Sequence, residues 1–463
     1  MGVAADSVDI VDVTYCEGWD PVRRAAGTAI AEDEARRRDE SAEPYAALLS
    51  FRGEPKALFQ IDWRHGYLGL FLFDAQARRT QEYEYRQLEA GRLRLRRHEQ
   101  WRLASDTEPE FPARGWRFTL TIRPDGRAFR VLDAGGSLHI GAKVPAEHQA
   151  VAKAEFGAWT AYADARVLGL AGPLTLVPAP PPADGSVPGA DVSWSAPVPL
   201  QPGHLEELFL PGTRLTCGDE RVAVIAEPAR AGMLHLPTGS VVAGDPCTID
   251  DDLPFTVTVP PGDYSVLIST MRWEGEDREG DTPAAMLRVL DKPAASWELA
   301  LRPGQDARLL GDGEFYGFGV DTATACFLDA SARDTLPKLF EQQQMEGSPW
   351  GPDSHSCTVS DPVSGANLIA YPSGRGDGSY PVWIGRDADG AVTCLVADML
   401  VLHDADTLPP TERSATCLSP FAPRVEDRRD APFTSPGSTI EFIDAQIADI
   451  VEFKQELRSR RRN

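Results

Sequence analysis

The chain has 463 residues, 42% hydrophobic and 25% charged, the balance of a globular protein with room for two or three domains. Its net charge of −24 is lopsided: residues 1–200 hold 24 Lys and Arg against 28 Asp and Glu, whereas residues 201–463 hold 22 against 42. A second half this acidic repels phosphate backbones and argues against general nucleic-acid binding.

Residues 1–45 read as a charged N-terminal segment, with the mixed-charge run Glu32–Glu40 forming a solvated helix. Residues 46–176 alternate short β-branched or aromatic runs with turn formers. The runs are Ala46–Phe51, Ala57–Trp63, Tyr67–Phe73, Thr80–Tyr85, Arg92–Leu95, Trp116–Ile122 and Ala128–Leu132, which predict an antiparallel meander. Val151, Phe156, Trp159, Tyr162 and Val167 recur every three to four residues, so one amphipathic helix over Ala146–Leu168 is expected to close this domain. Residues 177–203 are a Pro-rich linker. Residues 204–404 resume the strand pattern, including Phe255–Val259, Tyr264–Thr270 and Ala284–Val289, with a helix near Asp334–Met345. Residues 405–463 read as a loop followed by a C-terminal helix, capped by Ser438 or Thr439 and striped by Ile443, Ile447, Ile450 and Leu457. The expected fold class is therefore mainly β with a few helices (β or α+β): two antiparallel-sheet domains joined by a Pro-rich linker, with a C-terminal helix.

Seven scattered cysteines without a CxxC lack zinc-ribbon and thioredoxin-type spacing and fit free thiols in the cytoplasm. No basic-then-apolar leader and no run approaching ~18 apolar residues is visible, so neither secretion nor membrane association is expected. The eight histidines are dispersed, and Gly-x-Ser-x-Gly and Walker motifs are absent. His355-Ser356-Cys357 offers a Cys and a His, but nucleophile pairs assemble in space rather than between sequence neighbours.

Two stretches look alike. Gly311-Asp312-Gly313 leads through Asp321 to Cys326 and Asp329, and Gly376-Asp377-Gly378 leads through Asp387 to Cys394 and Asp398. Two ordinary hairpins with similar turn chemistry explain this. The functional alternative brings Asp312, Asp329, Asp377 and Asp398 together around a divalent cation, with oxygen ligands suited to calcium, magnesium or manganese. Asp312, Glu314, Asp321 and Asp377 would then be the catalytic candidates of a metal-dependent hydrolase, Glu314 or Asp321 serving as base.

Residues 205–402 resemble the bacterial family known as domain of unknown function 4241. The stretches that carry the resemblance are Leu236 to Pro246, Val259-Pro-Pro-Gly-Asp-Tyr264, Gly317 to Asp329 and Gly376 to Asp398, in that order. Ala323 and Ala325 stand where a glycine-bearing turn belongs in that pattern. The resemblance implies no activity. It implies a bacterial setting and an accessory or immunity role in a conflict or phage-defence system.

In the first half, Arg92-Leu-Arg-Leu-Arg-Arg97 alternates, so Arg92, Arg94 and Arg96 are expected on one strand face with Arg102 nearby. Such a face would dock an acidic partner or stand solvated. The residues favour a non-catalytic macromolecule-binding protein that needs no cofactor and partners another protein or itself. The alternatives are the divalent-metal hydrolase and an oligomeric structural protein assembled through residues 438–463.

Overall fold

The computed structural model describes residues 8–123, 126–179, 192, 194–249, 252–276, 281–347, 350, 355–408, 443, 447, 450 and 451. The protein is mainly β, built of several antiparallel sheets, as its sequence led us to expect. It divides into two compact units, residues 1–198 with 424–463, and residues 199–423.

Unit 1 contains β1 (Asp9–Cys16), β2 (Trp19–Asp20), β3 (Ala25–Ala26), α1 (Glu32–Glu40), β4 (Tyr45–Phe51), β5 (Glu54–Asp62) and β6 (Tyr67–Phe73). It continues with β7 (Arg79–Glu89), β8 (Arg92–Arg102), β9 (Trp116–Ile122), β10 (Arg127–Asp133), β11 (Ser137–Lys143), β12 (Ala150–Ala152) and β13 (Leu174–Pro178). From β4 to β11 every strand pairs with the next, which is the expected meander. Short turns enforce it. Asp62, for example, accepts a hydrogen bond from the His65 amide, and Gly66 closes that turn at φ 60, where a Cβ is disfavoured. α1 is solvated as expected, its surface laced by Arg36–Glu32 and Arg37–Glu34 pairs with Ala35 alone buried.

Two differences from the sequence reading stand out. The segment read as merely charged contains β1, which sits between β4 and β13, antiparallel to the first and parallel to the second. Its Val11, Val13 and Tyr15 alternate into the core. The helix expected over Ala146–Leu168 is instead a set of short pieces: single turns at Ala146–His148 and Trp159–Ala161, β12, and Gly157 at φ 88. Its aromatic residues still point inward. Tyr15, Tyr45, Phe59, Phe156, Trp159 and Tyr162 form one ring cluster, and Trp159 Nε1–H donates to Tyr15 Oη at 3.3 Å. A spacing of three to four is thus met by an irregular segment that anchors rings, without a helix. β13 reaches Pro178, the Trp194 ring lies 6.0 Å from that of Tyr67, and the division between units falls after Val198.

Ile443, Ile447 and Ile450 are helical and buried in the core of unit 1. Three of the four residues of the expected stripe are therefore buried inside the chain. Ser438, Thr439 and Leu457 lie outside the described residues.

Unit 2 contains β14 (Arg214–Thr216), β15 (Val222–Ile225), β16 (Ala229–Leu236), β17 (Val241–Gly244), β18 (Gly262–Ile268), β19 (Met271–Trp273), β20 (Ala284–Arg288) and β21 (Ser296–Leu299). It continues with β22 (Gly317–Val320), β23 (Thr324–Asp329), α2 (Leu336–Glu346), β24 (Cys357–Ser360), β25 (Asn367–Pro372), β26 (Gly378–Arg386), β27 (Val392–Asp398) and β28 (Asp406–Thr407). Its largest sheet among the described residues runs β16-β18-β20-β27-β26-β21, with β22 also on β26. A second sheet, β17-β23-β25-β24, packs its Phe327, Ile369 and Tyr371 into the same core as Val266, Leu287 and Leu395 of the first. The expected strand Phe255–Val259 is an extended segment joined to Ser240 by a single bridge at Thr258.

Candidate functional site

The carboxylates singled out in the sequence are the first test. β26 and β27 form a hairpin, but β22 pairs with β26 while β23 joins the other sheet, so the Gly-Asp-Gly likeness is not a structural repeat. The four aspartates expected to converge do not. Asp377 accepts from the Ala323 amide at 3.1 Å, just before β23, whereas Asp329 ends that strand at its opposite tip. Asp329 is fully buried and accepts from the amide and hydroxyl of Thr238 and of Ser331. Burial alone would raise its pKa, but the Ser331 and Thr238 hydrogen bonds outweigh burial and lower it. Asp398 accepts from the Leu400 amide and faces His403 Nδ1 at 3.6 Å. Asp312 and Asp321 are exposed, and Glu314 accepts from the Gly311 amide. These are turn-building carboxylates. Among the described residues no group of three or more His, Cys, Asp or Glu side chains is placed to hold a metal ion. The clustering on which the hydrolase reading depended is overturned by the strand order.

The basic strand is also rearranged. Register shifts by one residue where β7 meets β8, Glu84 facing Arg97 and Tyr85 facing Leu95, so Arg96 falls in a bulge. Arg96 is 2% exposed and pairs with Glu84, whose other oxygen holds Arg86 at 2.7 Å. It therefore does not share a solvent face with its neighbours. Arg94 donates to Gln149 Oε1 at 2.7 Å, Arg92 pairs with Glu89 at 3.6 Å, and the Arg102 guanidinium lies 4.1 Å from the Trp116 ring centroid. The notch beside Arg92 and Arg94 has a volume of only about 50 Å³.

A cavity of about 490 Å³ lies on one face of the main sheet of unit 2. Two cross-strand rows make its floor. Arg230 (β16), Leu267 (β18) and Met286 (β20) stand side by side, and so do Arg288 (β20), Cys394 (β27), Gly385 (β26) and Trp297 (β21). Strand alternation sends Val266, Ile268, Ala285, Leu287 and Leu395 to the opposite face, where all are buried in the core. Gly385 is required by close packing, since a Cβ there would lie 2.8 Å from Cys394 Sγ. Segments around Phe209–Pro211, Glu227–Pro228 and Leu290–Ala294 form the rim.

Polar groups around this groove fall into two sets. Arg288 is neutralised by Asp291 at 2.9 Å, and Lys292 by Asp387 at 2.7 Å. Arg230 and Glu227 make no ion pair or side-chain hydrogen bond among the described residues. Glu206 has its pKa raised by burial and then by Glu207, against the opposing hydrogen bond from the Ala294 amide. Burial also pushes the Cys394 thiol up, which keeps it a thiol rather than a reactive thiolate. Leu210 is 56% and Leu290 37% exposed, so the rim offers large apolar side chains to solvent.

None of these groove residues was singled out from the sequence. Alternation along each strand was visible, but the groove depends on which residue of one strand lies beside which residue of the next. No helix of the described residues is long and apolar enough to cross a membrane. No curated protein and no solved structure matches the chain. The family model described as protein of unknown function (DUF4241) does match, over residues 234–397, so the groove floor from Leu267 to Cys394 lies within the resemblance carried by the sequence motifs.

Proposed function

We propose that the protein is a non-catalytic binding protein that engages a macromolecular partner through the groove of unit 2. The observation that carries this is the pairing of an apolar floor, Leu267, Met286 and Trp297, with the exposed rim leucines Leu210 and Leu290. A cavity of this size with exposed large apolar groups at its mouth has the anatomy of a recognition site. An accessory or immunity role in a bacterial conflict or phage-defence system is part of this proposal. The free thiols of Cys16, Cys217, Cys247, Cys326, Cys357 and Cys394 support a reducing compartment such as the cytoplasm.

The test is affinity capture from a bacterial lysate with the wild-type chain and with Leu210→Asp/Leu290→Asp. Both residues are surface-exposed, so the fold should survive. A discrete protein retained by the wild type and lost by the double variant is expected. Identical captures would remove the groove from the proposal.

A further inference from the structure

The groove's own charges point to the chemistry of its occupant, an inference that rests on the binding role proposed above. Unit 2 holds 14 Lys and Arg against 34 Asp and Glu, a net charge of −20. A field of that sign steers cationic partners toward it. Inside the groove the cations Arg288 and Lys292 are already neutralised by Asp291 and Asp387. Glu206 and Glu227 have no cationic partner, and only Arg230 stands against them. The unpaired groups of the lining, two carboxylates against one guanidinium, are therefore net negative beside the apolar floor residues Leu267, Met286 and Trp297.

Glu206 also stands beside Glu207, and an incoming ammonium or guanidinium would offset the repulsion between the two carboxylates. The floor and rim place Leu267, Met286, Trp297, Leu210 and Leu290 where a bulky apolar group can cover them. Position in the chain separates the two contributions. The floor residues Leu267, Met286 and Trp297 fall inside the matched stretch 234–397, whereas Glu206, Leu210, Glu227 and Arg230 fall outside it.

We infer that the groove takes a peptide segment of a partner protein that lays a bulky apolar side chain over Leu267, Met286 and Trp297 and sets a Lys or Arg against Glu206 and Glu227. The apolar contact anchors the segment and the carboxylates choose its charge.

The experiment uses the full chain and three fluorescein-labelled peptides: Ser-Lys-Leu-Phe-Lys-Ser, the same peptide with Glu for both Lys, and the same peptide with Ser for Leu and Phe. Anisotropy at low ionic strength should show the first binding about tenfold or more tighter than either other, a difference of about 1.4 kcal/mol. Glu206→Gln/Glu227→Gln should abolish the preference for Lys over Glu. Arg230→Ala should tighten the Lys peptide by roughly two- to threefold, because a like charge leaves the site. If the Glu peptide binds as well as the Lys peptide, the charge assignment is overturned while the groove remains a binding site. If the Gln double variant binds the Lys peptide as the wild type does, only the diffuse field of the unit is acting and the inference is overturned. If none of the three peptides binds and the lysate capture is also insensitive to the rim leucines, the binding role itself fails.

Discussion

The most deeply buried carboxylates of the two units are satisfied in different ways. In unit 1, Glu84 lies between Arg86 and Arg96, Glu99 is held by Arg97 and Arg117, and Glu110 by Arg79, so carboxylates meet guanidinium groups. In unit 2, Asp245 and Asp329 have no cationic partner among their hydrogen bonds and accept backbone amides and hydroxyls instead. Asp245 takes the amides of Cys247, Asp321 and Thr322 and the Thr322 hydroxyl; Asp329 takes Thr238 and Ser331. The difference follows from supply. Unit 1 is near charge balance, whereas unit 2 has 34 acids for 14 bases. Where cations are scarce, a buried carboxylate must be satisfied by N–H and O–H donors, and the donors near at hand belong to turns. The lesson is that a conspicuous aspartate in unit 2 builds a loop before it builds a site.

Breaking the ionic arrangement of unit 1 should cost most. Glu84→Ala leaves Arg86 and Arg96 buried without their shared partner, and we expect a loss of roughly 3–5 kcal/mol in denaturant unfolding of unit 1. Replacing all three with apolar residues, Glu84→Leu/Arg86→Met/Arg96→Met, should recover most of it, since the apolar trio carries no desolvation cost. A triple variant as unstable as the single one would show that the ion pairs hold the β7–β8 bulge itself.

The corresponding break in unit 2 is Asp245→Ala, which strands the amides of Asp321 and Thr322. A loss of about 2–4 kcal/mol is expected, confined to the unfolding transition of unit 2. Hydrogen exchange should localise it to 321–322. Equal destabilisation of both units would break the comparison drawn here.

A pH experiment sharpens it further. Glu82 stands directly opposite Glu99 across β7 and β8 and is not among the paired carboxylates. Burial, followed by the charges of Glu84 and Glu99, pushes its pKa up to about 7. The folded state therefore holds a proton that the unfolded chain releases near pH 4.5, and stability falls as pH rises from about 4.5 through 7. Glu82→Gln should be neutral at pH 4 and stabilising at pH 8, by at most about 3 kcal/mol. The same gain at both pH values would mean that ionisation is not the cause.

Much of the architecture was legible because it is local. The meander from Tyr45 to Asp133 announces its strands by apolar and aromatic runs and many of its turns by Gly, Pro or Asp, whereas β11 was not foreseen, and α2 begins within two residues of the expected Asp334. What failed was information held between segments. Arg92, Arg94 and Arg96 alternate correctly, but a bulge set by the neighbouring strand turns Arg96 inward. The two Gly-Asp-Gly turns are alike in sequence, yet β23 and β27 lie in different sheets, and no three of the acidic side chains gather to hold a metal among the described residues. β1 was hidden because its three core residues are spaced by Asp12 and Thr14 within a charged context. The groove was out of reach for the same reason: Arg230, Met286 and Cys394 come together only through the pairing order of four strands.

The composition of unit 1 from residues 1–198 and 424–463 has a consequence for how the chain is made. β1 emerges first from the ribosome, but Ile443, Ile447 and Ile450, which fill the same core, emerge after the 225 residues of unit 2. At elongation speeds of about 5–20 residues per second that interval lasts roughly 10–45 seconds. Unit 2 is contiguous and can complete itself during this time. Unit 1 waits with part of its apolar interior unfilled, a vectorial delay in which its finished but incompletely covered sheet is the segment most in need of a chaperone.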